Sequence, residues 1–556
     1  MSYPLVLFVA ILISVLTIHL LTKDRKTRNQ FRQEWETGAF SRLREAPESI
    51  ASYWENKKNN ADSYDGVDLL TWHDLSMDQV FRKMNYTQTS VGSEYLLNQL
   101  RDIDISLNHI EKDEKLYITL GNNQELREEI LLALSKLGKR DYTNSSSFFY
   151  GKAQKALKNA NVFLLLALLP VASIVLVFFQ LKWGLLFLFL SFLINAFMYY
   201  RHKNALEYGL HSVNYAANII HTGKKLATLK DDSISEYTNR LQTNLKPLKK
   251  LLFLSNFVSV GNKGGGEFDV IFEYIRILFL IDFISYNKII GTVTKHADNY
   301  REVWQVIGKL DAAVAVAFYR HSLTSYCKPE FTDSEEISFV NMAHPLLDKP
   351  VTNSSRLGKC TLITGSNASG KSTYSKAVAI NAILAQTIHT ALADHWSMKP
   401  SFVATSMAVQ DNVLDGDSYF IAEIKSLKRI IKLLEEGKPC ISVIDELLKG
   451  TNTAERIAAS GAIMEWLSKG KGINITASHD IELTEMMKRS YENYHFTETF
   501  IDGDIHFDYK IRSGPSTSRN AIKLLEVLSY PEEITEQANR LAEDFMNERE
   551  WKVLMN

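Results

Sequence analysis

The stretch "LITGSNASGKSTYSKA", residues 362–377, sets a glycine-bounded loop between an apolar run and a helical pattern. Gly365 to Ser372 fits G-x-x-x-x-G-K-[ST], a loop that holds phosphate. Gly365 and Gly370 free the backbone so that the N–H groups of Ser366, Asn367, Ala368 and Ser369 converge on phosphate oxygens. The start of the following helix adds partial positive charge. Lys371 is expected to reach the β and γ phosphates and Ser372 to ligate Mg²⁺, with Thr373 beside them.

Two further segments supply what such a loop needs. "CISVIDELLKGTNTAER" (440–456) reads as a β run ending in two carboxylates. Asp445 is expected to hold Mg²⁺, and Glu446 to orient or deprotonate the attacking water. "NITASHDIEL" (474–483) is another β run, and His479 just beyond it is placed to sense the γ-phosphate. No Asn-Lys-x-Asp guanine-reading motif follows the loop, so ATP is the expected nucleotide.

The chain has 556 residues, enough for several domains. Its 63 basic and 64 acidic residues nearly cancel, so net charge advertises no nucleic acid or anionic surface. Cys327, Cys360 and Cys440 lie far apart without metal-ligand spacing and read as reduced thiols of a cytoplasmic compartment.

Apolar runs suggest a membrane. Pro4–Leu21 holds no formal charge over 18 residues, His19 taken as neutral. At about 1.5 Å per residue it reaches roughly 27 Å, near the thickness of a hydrocarbon core. Basic residues follow it rather than precede it, which favours an uncleaved anchor over a signal peptide. A second block, "NVFLLLALLPVASIVLVFFQ" with "GLLFLFLSFLINAFMYY", reads as two spans joined at Lys182 and Trp183. Lys and Arg cluster at Lys23–Arg28, at Lys152–Lys158 and at Arg201–Lys203. The positive-inside rule puts those flanks in the cytoplasm and the N-terminus outside an inner membrane.

The expected order is an anchor (1–22), a polar helical stalk (23–63), a helical region (64–158), the membrane hairpin (159–201), a second helical region (202–329), an α/β domain (330–540) and a helical tail (541–556). Helical periodicity is plain in "SEYLLNQLRDIDISLNHIEKDEKLYITL" and "FDVIFEYIRILFLIDFISYNKIIGTV". "GNKGGGEFD" (261–269) reads as a flexible interhelical turn. From about residue 330, short β runs alternate with helices, which argues a mostly parallel sheet.

Taken in order, these motifs resemble the MutS family of ABC-type ATPases. "TGSNASGKST" is similar to T-G-P-N-M-G-G-K-S-T, "VIDELLKGTNTAER" to D-E-x-x-x-G-T-s, and "TASHD" to t-T-H. "DNVLDGDSYFIAEIKSL" resembles the signature G-x-S-T-F-x-x-E, and "YKIRSGPSTSRNAIKLLEVLSYPEEITEQA" the closing Y-k-l-x-x-G-p segment. "MNYTQTSVGSEYLLNQLRDIDISLNHI" is similar to the start of the helical core, and "AHPLL" to the lead into the ATPase. Ser366, Ala368 and Ser369 depart from the family loop, and Leu448 and Lys449 replace its Gly-Arg.

The resemblance implies an α/β P-loop (ABC-type) ATPase domain preceded by an all-α core and lever domain, here interrupted by a transmembrane hairpin. It implies a homodimer with shared ATP sites, in which Ser418 of one protomer touches the γ-phosphate held by Lys371 of the other. It covers residues 330–540 well and 64–325 more weakly, and no Phe-x-Glu mismatch wedge precedes the core. The expected activity is Mg²⁺-dependent hydrolysis of ATP at a membrane. Its load is either DNA, mismatched or branched, or a protein or envelope partner. A half-transporter fits poorly, since the spans carry no internal charge.

Overall fold

The computed structural model describes residues 22–41, 45–61, 66–151, 156–157, 160–249, 251, 267–366, 369–407, 419–501, 504–516 and 521–548. The expected N-terminal span and Gly261–Gly266 of the expected interhelical turn lie outside them. The chain forms two compact units. One comprises Met1–Tyr64, Met84–Gln99 and Glu111–Ser322, and the other Asp65–Lys83, Leu100–Ile110 and Leu323–Asn556.

The first unit is helical. α1 (Gln124–Leu137) starts where the Asn123 side chain accepts from Leu126 N and stops at Gly138, φ +70°. α2 (Ala160–Phe179) and α3 (Leu181–Leu226) form an antiparallel pair broken only at Gln180. α4 (Glu267–Leu278), α5 (Ile281–Lys295) and α6 (Ala297–Ser322) follow. Within α6, Val303, Ile307, Leu310 and Val314 recur at helical spacing and are fully buried.

Two expectations about this unit change. Residues 22–37 are helical as expected but do not stand apart as a stalk. Phe31 and Trp35, one turn apart, give that helix an apolar face that packs on the core. The Trp35 ring meets Phe318 edge-on at 5.5 Å and lies 3.6 Å beneath the Arg127 guanidinium. Arg32 grips Glu128 through two bonds of 2.6 and 2.9 Å. The second change is at the hairpin. Asn161–Phe179 and Leu181–Lys203 are long and apolar enough to cross a membrane. The second arm does not end there, because proline-free α3 continues unbroken to Leu226, and Tyr215, Ile219 and Ile220 are buried in the core.

The second unit carries a six-stranded sheet of β1 (Cys360–Thr364), β2 (Phe402–Ser406), β3 (Cys440–Asp445), β4 (Gly472–Ser478), β5 (Glu492–His495) and β6 (Arg512–Ser513). The order is β6-β5-β1-β4-β3-β2, parallel throughout except for β6. Residues of β1, β2 and β4 are buried at every position, as strands of a parallel sheet covered on both faces should be. α7 (Lys371–Ile388), α8 (Tyr419–Glu435) and α9 (Thr453–Lys469) connect its strands.

Residues 65–83, expected in the helical core, instead belong to this unit, and the sheet edge supplies the reason. β2 is an edge strand with unpaired backbone groups. Thr405 N donates to Thr71 Oγ1 at 3.1 Å, while Thr405 Oγ1 and Met407 N donate to Asp74 Oδ2 at 2.7 and 3.0 Å. The short helix Leu69–Asp74 therefore closes the edge, and Arg429 of α8 fastens it through Asp68 and Thr71. Asp74→Ala should strand two buried donors at a cost of about 2–3 kcal/mol. The expected result is a lower denaturant midpoint for the sheet unit and faster hydrogen exchange at Met407. Unchanged exchange there would contradict this account of the edge.

Candidate nucleotide site

Neighbouring strands β1, β4 and β3 end together. Thr364 pairs with Ser478, and Asp445 with Ala477. The candidate site residues leave from these ends, at the carboxyl edge where open α/β sheets bind ligands.

After Thr364 the chain turns at Gly365, φ +140°, and enters α7 through Gly370, φ +103°. A Cβ at Gly365 would lie 2.8 Å from Phe496 O and 2.9 Å from Ser369 Oγ, so both conformation and space demand glycine. Ser369 closes the turn on itself, its N and Oγ both donating to Ser366 O at 3.2 and 2.7 Å. Lys371, buried to 2% exposure, folds its ammonium over the loop and donates to Gly365 O and Ser366 O at 2.5 and 2.8 Å. Burial lowers its pKa, and the charges of Glu446, Asp445 and Glu498 oppose that fall. Asn367 and Ala368 lie outside the described residues.

Asp445 ends β3. Burial raises its pKa, offset in part by a hydrogen bond with the Ser372 side chain. Its Oδ1 is buried without a hydrogen-bond partner among the described residues. A buried, unpartnered carboxylate oxygen beside a serine hydroxyl fits a hard divalent cation held by oxygen ligands. Ser372 and Asp445 are thus suited to Mg²⁺, which would neutralise phosphate charge.

Glu446 follows in a left-handed conformation, φ +57°, its N donating to Ala477 O at 2.8 Å. Its carboxylate meets His479 Nδ1 at 3.3 Å and Lys449 Nζ at 2.8 Å. The His479 hydrogen bond and the Lys449 charge pull its pKa down to about 2 against the effect of burial. His479 is raised in return, chiefly by that same bond. Behind it, Arg456 holds Asp480 through bonds of 2.6 and 3.0 Å.

The structure therefore brings Gly365, Ser366, Ser369, Gly370, Lys371, Ser372, Asp445, Glu446 and His479 together. Ser418 lies outside the described residues. Thr373 lines a cavity of about 380 Å³ at the start of α7, together with Tyr374, Phe496, Tyr509 and His344. Burial lowers the His344 pKa to about 4, so its imidazole is neutral there at neutral pH.

Several residues escaped the motif reading. Glu498 accepts from Ser366 Oγ at 3.3 Å. Asn353 clamps the 509–511 segment, donating to Tyr509 O at 3.0 Å and accepting from Ile511 N at 2.9 Å, which sets the Tyr509 ring against Gly370. Lys449 and Glu423 stood inside recognised stretches, but no spacing rule gave them partners.

Residues 361–546 match the family model for MutS domain V. The DNA mismatch repair protein MutS of Streptococcus suis (strain 98HAH33) is 28% identical over 282 residues, 48% of this chain and 33% of that protein. Human MutS protein homolog 4 is 27% identical over 287 residues, 48% of this chain and 30% of its own length. The Lactobacillus helveticus (strain DPC 4571) MutS is 31% identical over 232 residues, 39% of this chain and 27% of that protein. The chain thus spans about a third or less of the length of these relatives. These matches support membership of the MutS family.

The Glu446–His479 pair makes a measurable statement. A raised histidine pKa means the native state binds the extra proton between 6.5, the ordinary value, and its own higher value. The pair's contribution to stability is complete between about 4.5 and 6.5, fades as pH rises through the folded histidine pKa, and is lost as pH falls towards the Glu446 value of about 2. In Glu446→Gln the His479 resonance, assigned by its loss in His479→Gln, should titrate closer to 6.5. An unmoved titration would mean Glu446 does not hold the imidazolium.

Proposed function

We propose that this chain is a membrane-anchored MutS-like ATPase that works as a homodimer and clamps DNA. The observation that carries the catalytic part is the convergence of Lys371, Ser372, Asp445, Glu446 and His479 on one sheet edge. In hydrolysis, water attacks the γ-phosphorus, the bond to the β-phosphate oxygen breaks, and ADP and phosphate leave. Lys371, released from its loop carbonyls, is placed to follow the β and γ oxygens. Glu446 orients the water by accepting its hydrogen bond, because a carboxylate with a pKa of about 2 is a weak proton acceptor. His479, its pKa raised chiefly by the Glu446 bond, offers an N–H donor beside it. The cavity bounded by Tyr509 and Tyr374 suits the nucleobase, a flat ring entering among aromatic walls.

A P-loop on its own leaves one side of the γ-phosphate without a donor, and Ser418 of a second protomer would supply it. The names of the relatives, DNA mismatch repair protein MutS among them, support DNA as the load. The apolar hairpin supports the anchor, since its arms are only 17% buried and expose Phe178, Phe179, Phe189 and Phe197.

Lys371→Ala and Ser418→Ala should each abolish turnover as homodimers, and a mixture should regain activity at the one site that keeps both groups. Failure of the mixture to recover would count against shared sites. Glu446→Gln should bind ATP and lose at least ~100-fold in kcat. With ATP held, this variant should retain duplex DNA with an affinity that falls as salt rises. No retention at low salt, by protein that binds ATP and dimerises, would move the load to a protein partner.

A further inference from the structure

Glu446 and Leu448 are both left-handed, at φ +57° and +56°, and neither is a glycine. Such residues are strained and persist only where their surroundings hold them. The MutS-like pattern has glycine at the second position, so this chain carries a strain that glycine would not. Something must hold the loop 446–449.

The holder is on α8. Glu423 is 3% exposed, and its Oε1 accepts from Leu448 N at 2.5 Å and from Lys449 N at 3.4 Å. Its Oε2 is buried without a partner among the described residues, so the carboxylate is committed to this loop. A second contact comes from the same helical turn. A Cβ on Gly450 would lie 3.1 Å from Phe420 Cβ, so the start of α8 and the loop are already at close approach. From the held backbone, the Lys449 side chain reaches Glu446 Oε2 at 2.8 Å.

We infer that Glu423 is a positioning residue that fixes loop 446–449 and, through Lys449, sets where the Glu446 carboxylate stands. This rests on the ATPase reading above and extends it. Glu423 touches no reacting atom. It lies five residues after Ser418, with the helix beginning at Tyr419 between them.

The test compares Glu423→Ala, Glu423→Gln and Glu423→Ala with Leu448→Gly in the full-length protein. Three readouts are taken: kcat, the Kd of a non-hydrolysable ATP analogue, and the NMR titration of His479. Alanine should lower kcat at least tenfold, leave the analogue Kd within about threefold, and move the His479 pKa, because Glu446 is displaced from it. Glutamine keeps an acceptor oxygen and should retain kcat within about threefold. Glycine at 448 removes the strain, and the double variant should recover part of the lost kcat. An unchanged kcat and His479 titration in Glu423→Ala would overturn the inference. So would glutamine failing like alanine alongside lost analogue binding, the pattern of a merely structural group. If the parent protein hydrolyses no ATP, the ATPase reading fails, and the His479 titration still decides whether Glu423 places Glu446.

Discussion

The parallel pairing of β3 with β4 is the constraint on which the candidate site depends. Asp445 lies opposite Ala477, and the Glu446 amide extends the ladder to Ala477 O, so His479 emerges two residues later beside the Glu446 carboxylate. β1 flanks β4 on its other side and delivers the phosphate loop at the same level. A one-residue slip would turn each of these side chains to the opposite face. The register is fixed from behind by buried polar contacts. Ser442 Oγ donates to Asn474 Oδ1 at 2.5 Å across β3 and β4, and Asn474 Nδ2 donates to Leu467 O of α9 at 3.1 Å. Such bonds in a desolvated core penalise any alternative alignment that would break them.

The same ladder places two adjacent carboxylates in opposite environments. Asp445 is buried and raised, hydrogen-bonded to the Ser372 side chain and left with Oδ1 unpartnered among the described residues. Glu446 is held down at about 2 by its bond with the His479 imidazole and by the Lys449 ammonium. Neighbouring acids whose environments push their pKa values apart divide labour. One is left in need of a cation, and the other stays ionised and oriented. The left-handed turn at Glu446 produces this difference by swinging its side chain toward His479 while the chain behind it remains in the strand.

Much of this was legible in the sequence because it is local. A glycine-bounded loop, a strand ending in Asp-Glu and a histidine just past a β run are each specified within a few residues. Non-local contacts were not legible. Nothing in "LLTWHD" announces that Thr71 and Asp74 cap Thr405 and Met407, more than 330 residues away. Nothing in "YFIAEIK" says that its glutamate serves two amides beyond the next strand. The polar look of residues 23–60 likewise hid Phe31 and Trp35, whose single helical face suffices for packing. Pattern gives a residue's element and face, while the partner across the fold depends on topology.

α3 shows how one helix can be suited to two surroundings. Over about 69 Å its periodicity does not change, but the fate of its apolar side chains does. In the first half Leu185, Phe189, Leu193 and Phe197 stand 48–65% exposed. In the second half Tyr215, Ile219 and Ile220 are fully buried. Exposed surface of that extent and continuity is unfavourable against water at roughly 25 cal/mol per Å². The first half is therefore suited to the nonaqueous cover that the proposed bilayer would provide, whereas the second is covered by the protein itself. Because no proline interrupts the helix between them, continuous helical hydrogen bonding joins the two halves, and a tilt or rotation of the exposed half bears on the packing around Tyr215 and Ile219.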